Sequence, residues 1–250
     1  MITAGVDLAT EPVATALAVI EWSTHGATLV SLDLGVDDAW ILHTAASVDK
    51  LGIDCPLGWP DDFVRFVTAH HSGHVTAPQD IAGLAWRRQL AYRETDRTVH
   101  QRTGLTPLSV AADRIGLTAM RAAGLLARLA EQGRPVDRTG LGILVEVYPA
   151  ASLKCWRLTS RGYKGTKNRD QLAALVAATR RAAPWLHLGE HTALCAASDD
   201  AFDAVIAALT GRAAALSQVT PPADQPTTAI AQKEGWIALP NESLGSLLTG

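Results

Sequence analysis

Three acids close three apolar runs in this chain, and they are its first chemical signal. Asp7 ends Ile2-Thr3-Ala4-Gly5-Val6, Asp54 ends Leu51-Gly52-Ile53, and Glu146 falls at the end of Leu141 to Val147. Aspartate is depleted in strands, and an ionised acid beside a core is costly unless something positive compensates it. One such acid reads as a turn former or helix cap, but three on separate strands suggest a shared task. A fourth contribution is Ser198-Asp199-Asp200-Ala201-Phe202-Asp203. Ser198 suits an N-cap, and Asp199 and Asp200 complement a helix dipole. Asp203 lies one turn further in, beside Phe202, Val205, Ile206 and Leu209, and shares a side of the helix with Asp200.

Gathered carboxylates repel one another unless a cation bridges them, and an oxygen-only ligand set favours Mg²⁺ or Mn²⁺. Two such ions about 4 Å apart activate water on one side of a phosphodiester and stabilise the leaving oxygen on the other. The expected catalytic set is Asp7, Asp54, Glu146, Asp200 and Asp203. Asp7 is expected to bridge the ions, with Asp54, Glu146 and Asp203 as further ligands.

Cationic groups lie near these acids in sequence. Lys154 to Arg169 carries Lys154, Arg157, Arg161, Lys164, Lys167 and Arg169 with no acid, and Trp156 and Tyr163 lie among them. Such a strip suits a phosphate backbone and stacked bases, or else a solvated loop. Lys154, Lys164 and Lys167 are therefore expected substrate contacts. Arg87, Arg88, Arg93, Arg97 and Arg102 form a second group, in which Arg93 and Asp96 have the spacing of a helical pair. Arg93 is also a candidate for a substrate phosphate. His70, His71 and His74 lack an acid or cysteine at ligand spacing and read as a polar helix end.

The elements that must position these groups follow from hydrophobic periodicity. Ile2 to Asp7, Val13 to Ile20 and Ala27 to Leu32 read as three successive strands, then a helix over Asp37 to Ser47 and a strand over Leu51 to Asp54. Residues 61–132 carry amphipathic segments without a strand and are expected to form a helical insertion. Leu141 to Val147 restores the strand signal, and helices follow over Arg169 to Ala183 and Asp199 to Leu216. Thr220 to Thr228 reads as a linker, and Glu234 to Pro240 as a last strand or packed tail. This order predicts an α/β fold, a mixed sheet with helices on both faces, in one domain over residues 1–250. Ligands of such sheets sit at the carboxyl ends of the strands, where the acids fall.

Bulk properties narrow the function classes. With 48% hydrophobic and 19% charged residues the chain is not disordered, and its net charge of −3 gives no global footprint for nucleic acid. Cys55, Cys155 and Cys195 lack metal-ligand spacing and suit reduced thiols. No stretch reaches the roughly 18 apolar residues of a membrane helix, and the start lacks a signal-peptide pattern. A cytoplasmic protein with no membrane contact is expected.

Gly5-Val6-Asp7-Leu8-Ala9, Gly52-Ile53-Asp54-Cys55-Pro56-Leu57-Gly58, Arg93-Glu94-Thr95-Asp96, Glu146-Val147-Tyr148-Pro149-Ala150 and Asp199-Asp200-Ala201-Phe202-Asp203-Ala204 together resemble the landmarks of the family called domain of unknown function 429. The resemblance runs from about residue 2 to 240, with Cys55 standing where a small residue is usual. It implies a ribonuclease-H-like fold and a metal-dependent nuclease acting on DNA or RNA. Two other classes compete. Asp7-Leu8-Ala9-Thr10 resembles the first phosphate loop of the actin and sugar-kinase fold, which implies nucleotide binding or phosphoryl transfer. That fold needs a second core with its own glycine-rich loop, and none is found here. A non-catalytic binding module would keep the fold with its acids dispersed. No Ser-His-Asp order, Walker loop or dinucleotide fingerprint is present.

Overall fold

The computed structural model describes residues 1–75 and 83–248. Among these residues six strands form one mixed sheet: β1 (Ile2–Asp7), β2 (Ala16–Trp22), β3 (Ala27–Leu34), β4 (Lys50–Asp54), β5 (Leu144–Glu146) and β6 (Leu186–His187). Their spatial order is β5-β4-β1-β2-β3-β6. The first three strands run antiparallel as a meander, whereas β4 lies parallel to β1, β5 to β4 and β6 to β3.

Between β3 and β4 runs α1 (Asp38–Ser47), and between β4 and β5 run α2 (Asp61–His71), α3 (Gly83–Ala91), α4 (Glu94–Thr103) and α5 (Ile115–Glu131). Residues 76–82 of the expected helical insertion lie outside the described residues. After β5 come α6 (Pro149–Cys155), α7 (Arg169–Ala182), α8 (Thr192–Ala197), α9 (Asp199–Ala215) and α10 (Gln225–Glu234). The sheet separates two apolar cores. One joins β2 and β3 to α7, α8 and α9, and the other joins Ala4, Val6, Leu51 and Ile53 to α1 and α5.

Local chemistry explains most element ends. Asp37 caps α1 by accepting from the Trp40 amide at 2.8 Å, and Ser198 caps α9 by accepting from the Ala201 amide at 3.2 Å. Pro12 starts a 3-10 turn over Pro12–Ala14, so the second strand begins at Ala16 rather than Val13. The expected linker is shorter than read. Asp224 accepts from the Thr227 amide at 2.8 Å and starts α10 at Gln225. The tail after Glu234 is packed: Trp236 to Leu239 are buried, and the Ala238 amide donates to the Glu146 carbonyl along the outer edge of β5.

One close approach governs the architecture. Helix α9 is buried on every side from Ala201 to Ala213, as expected of a helix apolar almost all round. It lies directly on the strand backbones. A Cβ at Gly5 would overlap the Ala204 carbonyl and the Ala208 amide, and one at Gly52 would overlap the Ala207 carbonyl. Glycines on the strands and alanines on the helix thus let two backbones touch where side chains would hold them apart.

Gly5→Ala should therefore cost about 2–3 kcal/mol, the upper part of the range for overpacking a core. Urea unfolding measures this, and a loss below about 0.5 kcal/mol would show that α9 does not rest on β1 as described.

Candidate metal centre

The same contact assembles the site. Side chains alternate along a strand, so Asp7 shares a face with Gly5, and Asp54 with Gly52. Asp7 and Asp54 are register partners on adjacent parallel strands. Asp203 precedes Ala204, the residue seated over Gly5, and so arrives beside both. One carboxylate oxygen from each of Asp7, Asp54 and Asp203 lies within 4.8 Å of the others. Asp203 is fully buried (0% exposed), whereas Asp7 and Asp54 are partly open. Asp200, one turn earlier and half-buried, approaches Asp7 from the rim.

The cluster's electrostatics follow from burial and crowding. Burial holds Asp7 well above the usual carboxylate range; Asp54, Asp203 and Asp200 add to the rise, and Lys164 opposes it. Burial likewise pushes Asp54 up to about 7, against Lys164 and with a further push from Asp203. Asp203 is raised by burial despite two partners. The Tyr163 hydroxyl donates to its Oδ1 at 2.9 Å, and the Lys164 ammonium lies 2.5 Å from its Oδ2. Burial alone would lower Lys164, but Asp203, Asp54 and Asp7 outweigh it and keep the ammonium charged.

The loop behind Asp7 is also clamped. Arg121 of α5 donates to the Ala9 carbonyl at 2.8 Å and the Thr15 hydroxyl at 2.6 Å, and it pairs with Asp38 at 2.7 Å. A cleft of about 230 Å³ opens onto the cluster. Asp7, Asp54, Tyr148 and Lys164 border it, with Leu8, Pro56, Leu108 and Ile115 as apolar walls. An all-oxygen set of three carboxylates at this spacing fits Mg²⁺ or Mn²⁺.

Glu146, expected as a further ligand, is not brought into the triad. It is the register partner of Ile53, not of Asp54, so alternation points it away from the Asp54 carboxyl, toward Arg93. There it is only 1% exposed and meets Arg93, whose guanidinium donates to both its oxygens at 2.6 and 2.8 Å, and the Leu57 amide donates to it at 3.0 Å. Arg93 and Glu146 both line the cleft, but Arg93 brings no spare donor to it. Its remaining N–H groups go to Asp96, at 2.9 and 3.2 Å, and to the Glu234 carbonyl at 2.9 Å, so all five donors are used. The Arg93–Asp96 pair is the one that helical spacing suggests, with Arg93 at the N-cap of α4.

Sequence reasoning missed Glu234. Its carboxylate accepts from the Asp61 amide at 2.7 Å and the Glu94 amide at 2.8 Å, the first residues of α2 and α4. Neither helix has a serine, threonine or aspartate at its N-cap, and that vacancy was the available signal.

The basic strip divides. Lys164 reaches the carboxylates, with Gly162 and Gly165 on either side in the left-handed region (φ 76° and 87°). Lys154 and Lys167 are exposed and pair with no acid in the described residues. Trp156 and Tyr163, read as base-stacking candidates, are core residues instead, only 7% and 1% exposed.

Sheet, buried helix and carboxylate triad define an α/β protein with a candidate divalent-cation centre. The chain belongs to the family described as protein of unknown function (DUF429), whose model matches residues 5–227. That span contains the whole triad and Lys164. No curated protein and no solved structure matches the chain. Among the described residues no helix is long and apolar enough to cross a membrane.

Two outcomes check these assignments. Arg93→Met leaves Glu146 and Asp96 buried without their partner and should cost about 3–5 kcal/mol in urea unfolding. A loss below about 1 kcal/mol would remove Arg93 from a structural role. The second outcome concerns pH. An acid whose pKa is raised on folding stabilises the fold fully below its unfolded value, and that stability is lost as pH rises through the folded value, here about 7 for Asp54. Between about pH 5 and pH 8 in EDTA, wild type should lose more melting temperature than Asp54→Asn. Parallel curves would contradict the raised carboxyl.

Proposed function

We propose that this protein is a metal-dependent phosphodiester hydrolase, a nuclease acting on DNA or RNA. The observation that carries the reading is the convergence of Asp7, Asp54 and Asp203 at the carboxyl ends of adjacent strands, facing a cleft. The meander flanked by parallel strands on the far side of β1 supports a ribonuclease-H-like fold, with the helices between β4 and β5 as an insertion.

Asp7, Asp54 and Asp203 would hold a divalent ion, which would supply Lewis acidity toward a phosphate in the cleft. The chain does the rest by positioning. Tyr163 fixes Asp203, the α9 contact fixes Asp203 against the strands, and Arg121 holds the loop that carries Ala9 and Thr15. Lys164, held against Asp203 at the cleft, is placed to pair with phosphate oxygens through its remaining ammonium donors. Hydrolysis adds the water oxygen to phosphorus and releases the sugar oxygen as an alcohol, one proton passing from the water to it. Three free thiols suit a reducing compartment, so the same reading assigns the cytoplasm.

Asp7→Asn is the decisive variant. Wild type should gain about 5–10 °C of melting temperature with Mn²⁺ at a hundredfold its Kd, and the variant much less. The variant should also lose Mn²⁺-dependent cleavage of single-stranded and duplex DNA and RNA. Equal thermal shifts in the two proteins would remove Asp7 from a metal site. A metal response without cleavage of any of these substrates would sink the nuclease reading alone.

A further inference from the structure

One cation already stands among the triad carboxylates. The Lys164 ammonium is already seated among the carboxylates, 2.5 Å from Asp203 Oδ2, although the side chain as a whole is 54% exposed. Its backbone is not free to drift. The neighbouring Tyr163 is buried in the core and hydrogen-bonded to the other oxygen of the same carboxylate. The loop therefore delivers two successive side chains to Asp203, one a neutral donor and one a cation. Glu146, the cleft acid that would enlarge the ligand set, is instead engaged by Arg93 and the Leu57 amide.

We propose that the centre holds a single divalent ion and that the Lys164 ammonium permanently occupies the second cationic place, facing the phosphate oxygens beside that ion. The inference rests on the metal-dependent reading above and deepens it. One divalent ion and one ammonium together balance the three triad carboxylates, which leaves Asp200 at the rim as the one further acid before a phosphodiester enters. Lys164 keeps its hold on Asp203 when the ion binds, because a carboxylate oxygen has lone pairs for both a cation and a hydrogen-bond donor. An ammonium in that position needs no recruitment from solution and cannot be removed by chelators.

The test counts ions. Mn²⁺ is titrated into the full chain by calorimetry, with wild type, Lys164→Met and Lys164→Arg compared. Wild type and Lys164→Arg should saturate at one ion per chain and Lys164→Met at two, because loss of the ammonium leaves charge for a second ion. The metal-free Lys164→Met protein should also melt lower than wild type, since Asp203 loses its cation. Two ions in wild type would overturn the inference and leave the metal-dependent reading intact. One ion in both wild type and Lys164→Met, bound more tightly by the variant, would make Lys164 a displaced counter-ion and also overturn it. No ion in any of the three would defeat the metal-dependent reading itself.

Discussion

Everything at this site depends on the absence of two side chains. Gly5 and Gly52 let α9 lie on the strand backbones, and the alanines above them let it come that close. A helix held off by ordinary side chains would sit further from the sheet, and Asp203 would stand above the strand-end acids rather than among them. Small residues therefore set the spacing of the carboxylates more than the carboxylates do. They also make α9 the central element of the fold, buried on every face and touching β1, β2 and β4 alike.

A second set of buried charges works differently. Arg93 and Asp96 at the start of α4 and Glu146 on β5 satisfy one another almost completely, and Arg93 also donates to the Glu234 carbonyl at the end of α10. Such a knot adds little stability over a well-packed apolar equivalent, but removing one member leaves the others stranded. Its value is geometric. Gly235, with φ near +90°, passes so close that a Cβ there would meet both Glu146 and Arg93. The knot therefore fixes where α4, α10 and β5 stand around the cleft, while the triad bordering the same cleft stays short of positive charge. Two groups of acids in one small region thus have opposite characters, one neutralised by arginine and one left open except for a lysine.

Much of this was legible in the sequence, and the parts that were not share a cause. Strand-end acids on apolar runs identify Asp7 and Asp54, and an acid without a capping excuse identifies Asp203, because burying a charge demands a reason. Glu146 has the same signature. Its side is decided by register, and β5 is only three residues long, so no alternation pattern within it reveals which way it points. Trp156 and Tyr163 looked like exposed aromatics because their neighbours are charged, but a buried tyrosine hydroxyl needs only one acceptor, and Asp203 is it. Short elements such as α6, β6 and α8 escaped because periodicity needs length. Glu234 escaped because its partners are backbone amides far away in sequence.

That distance has a consequence for how the chain acquires its structure. The amides capped by Glu234 lie 173 and 140 residues before it. During synthesis, α2 and α4 leave the ribosome long before the residue that finishes their first turns. Until α10 emerges their initial N–H groups are met only by water, and Arg93 lacks the Glu234 carbonyl. The middle of the chain is therefore a waiting segment, helical in tendency but without its final fastening. Closure by the carboxy-terminal helix is a late, long-range event of the sort that slows folding. A chain truncated before α10 would keep the triad's residues and lose the part that completes the wall beside them.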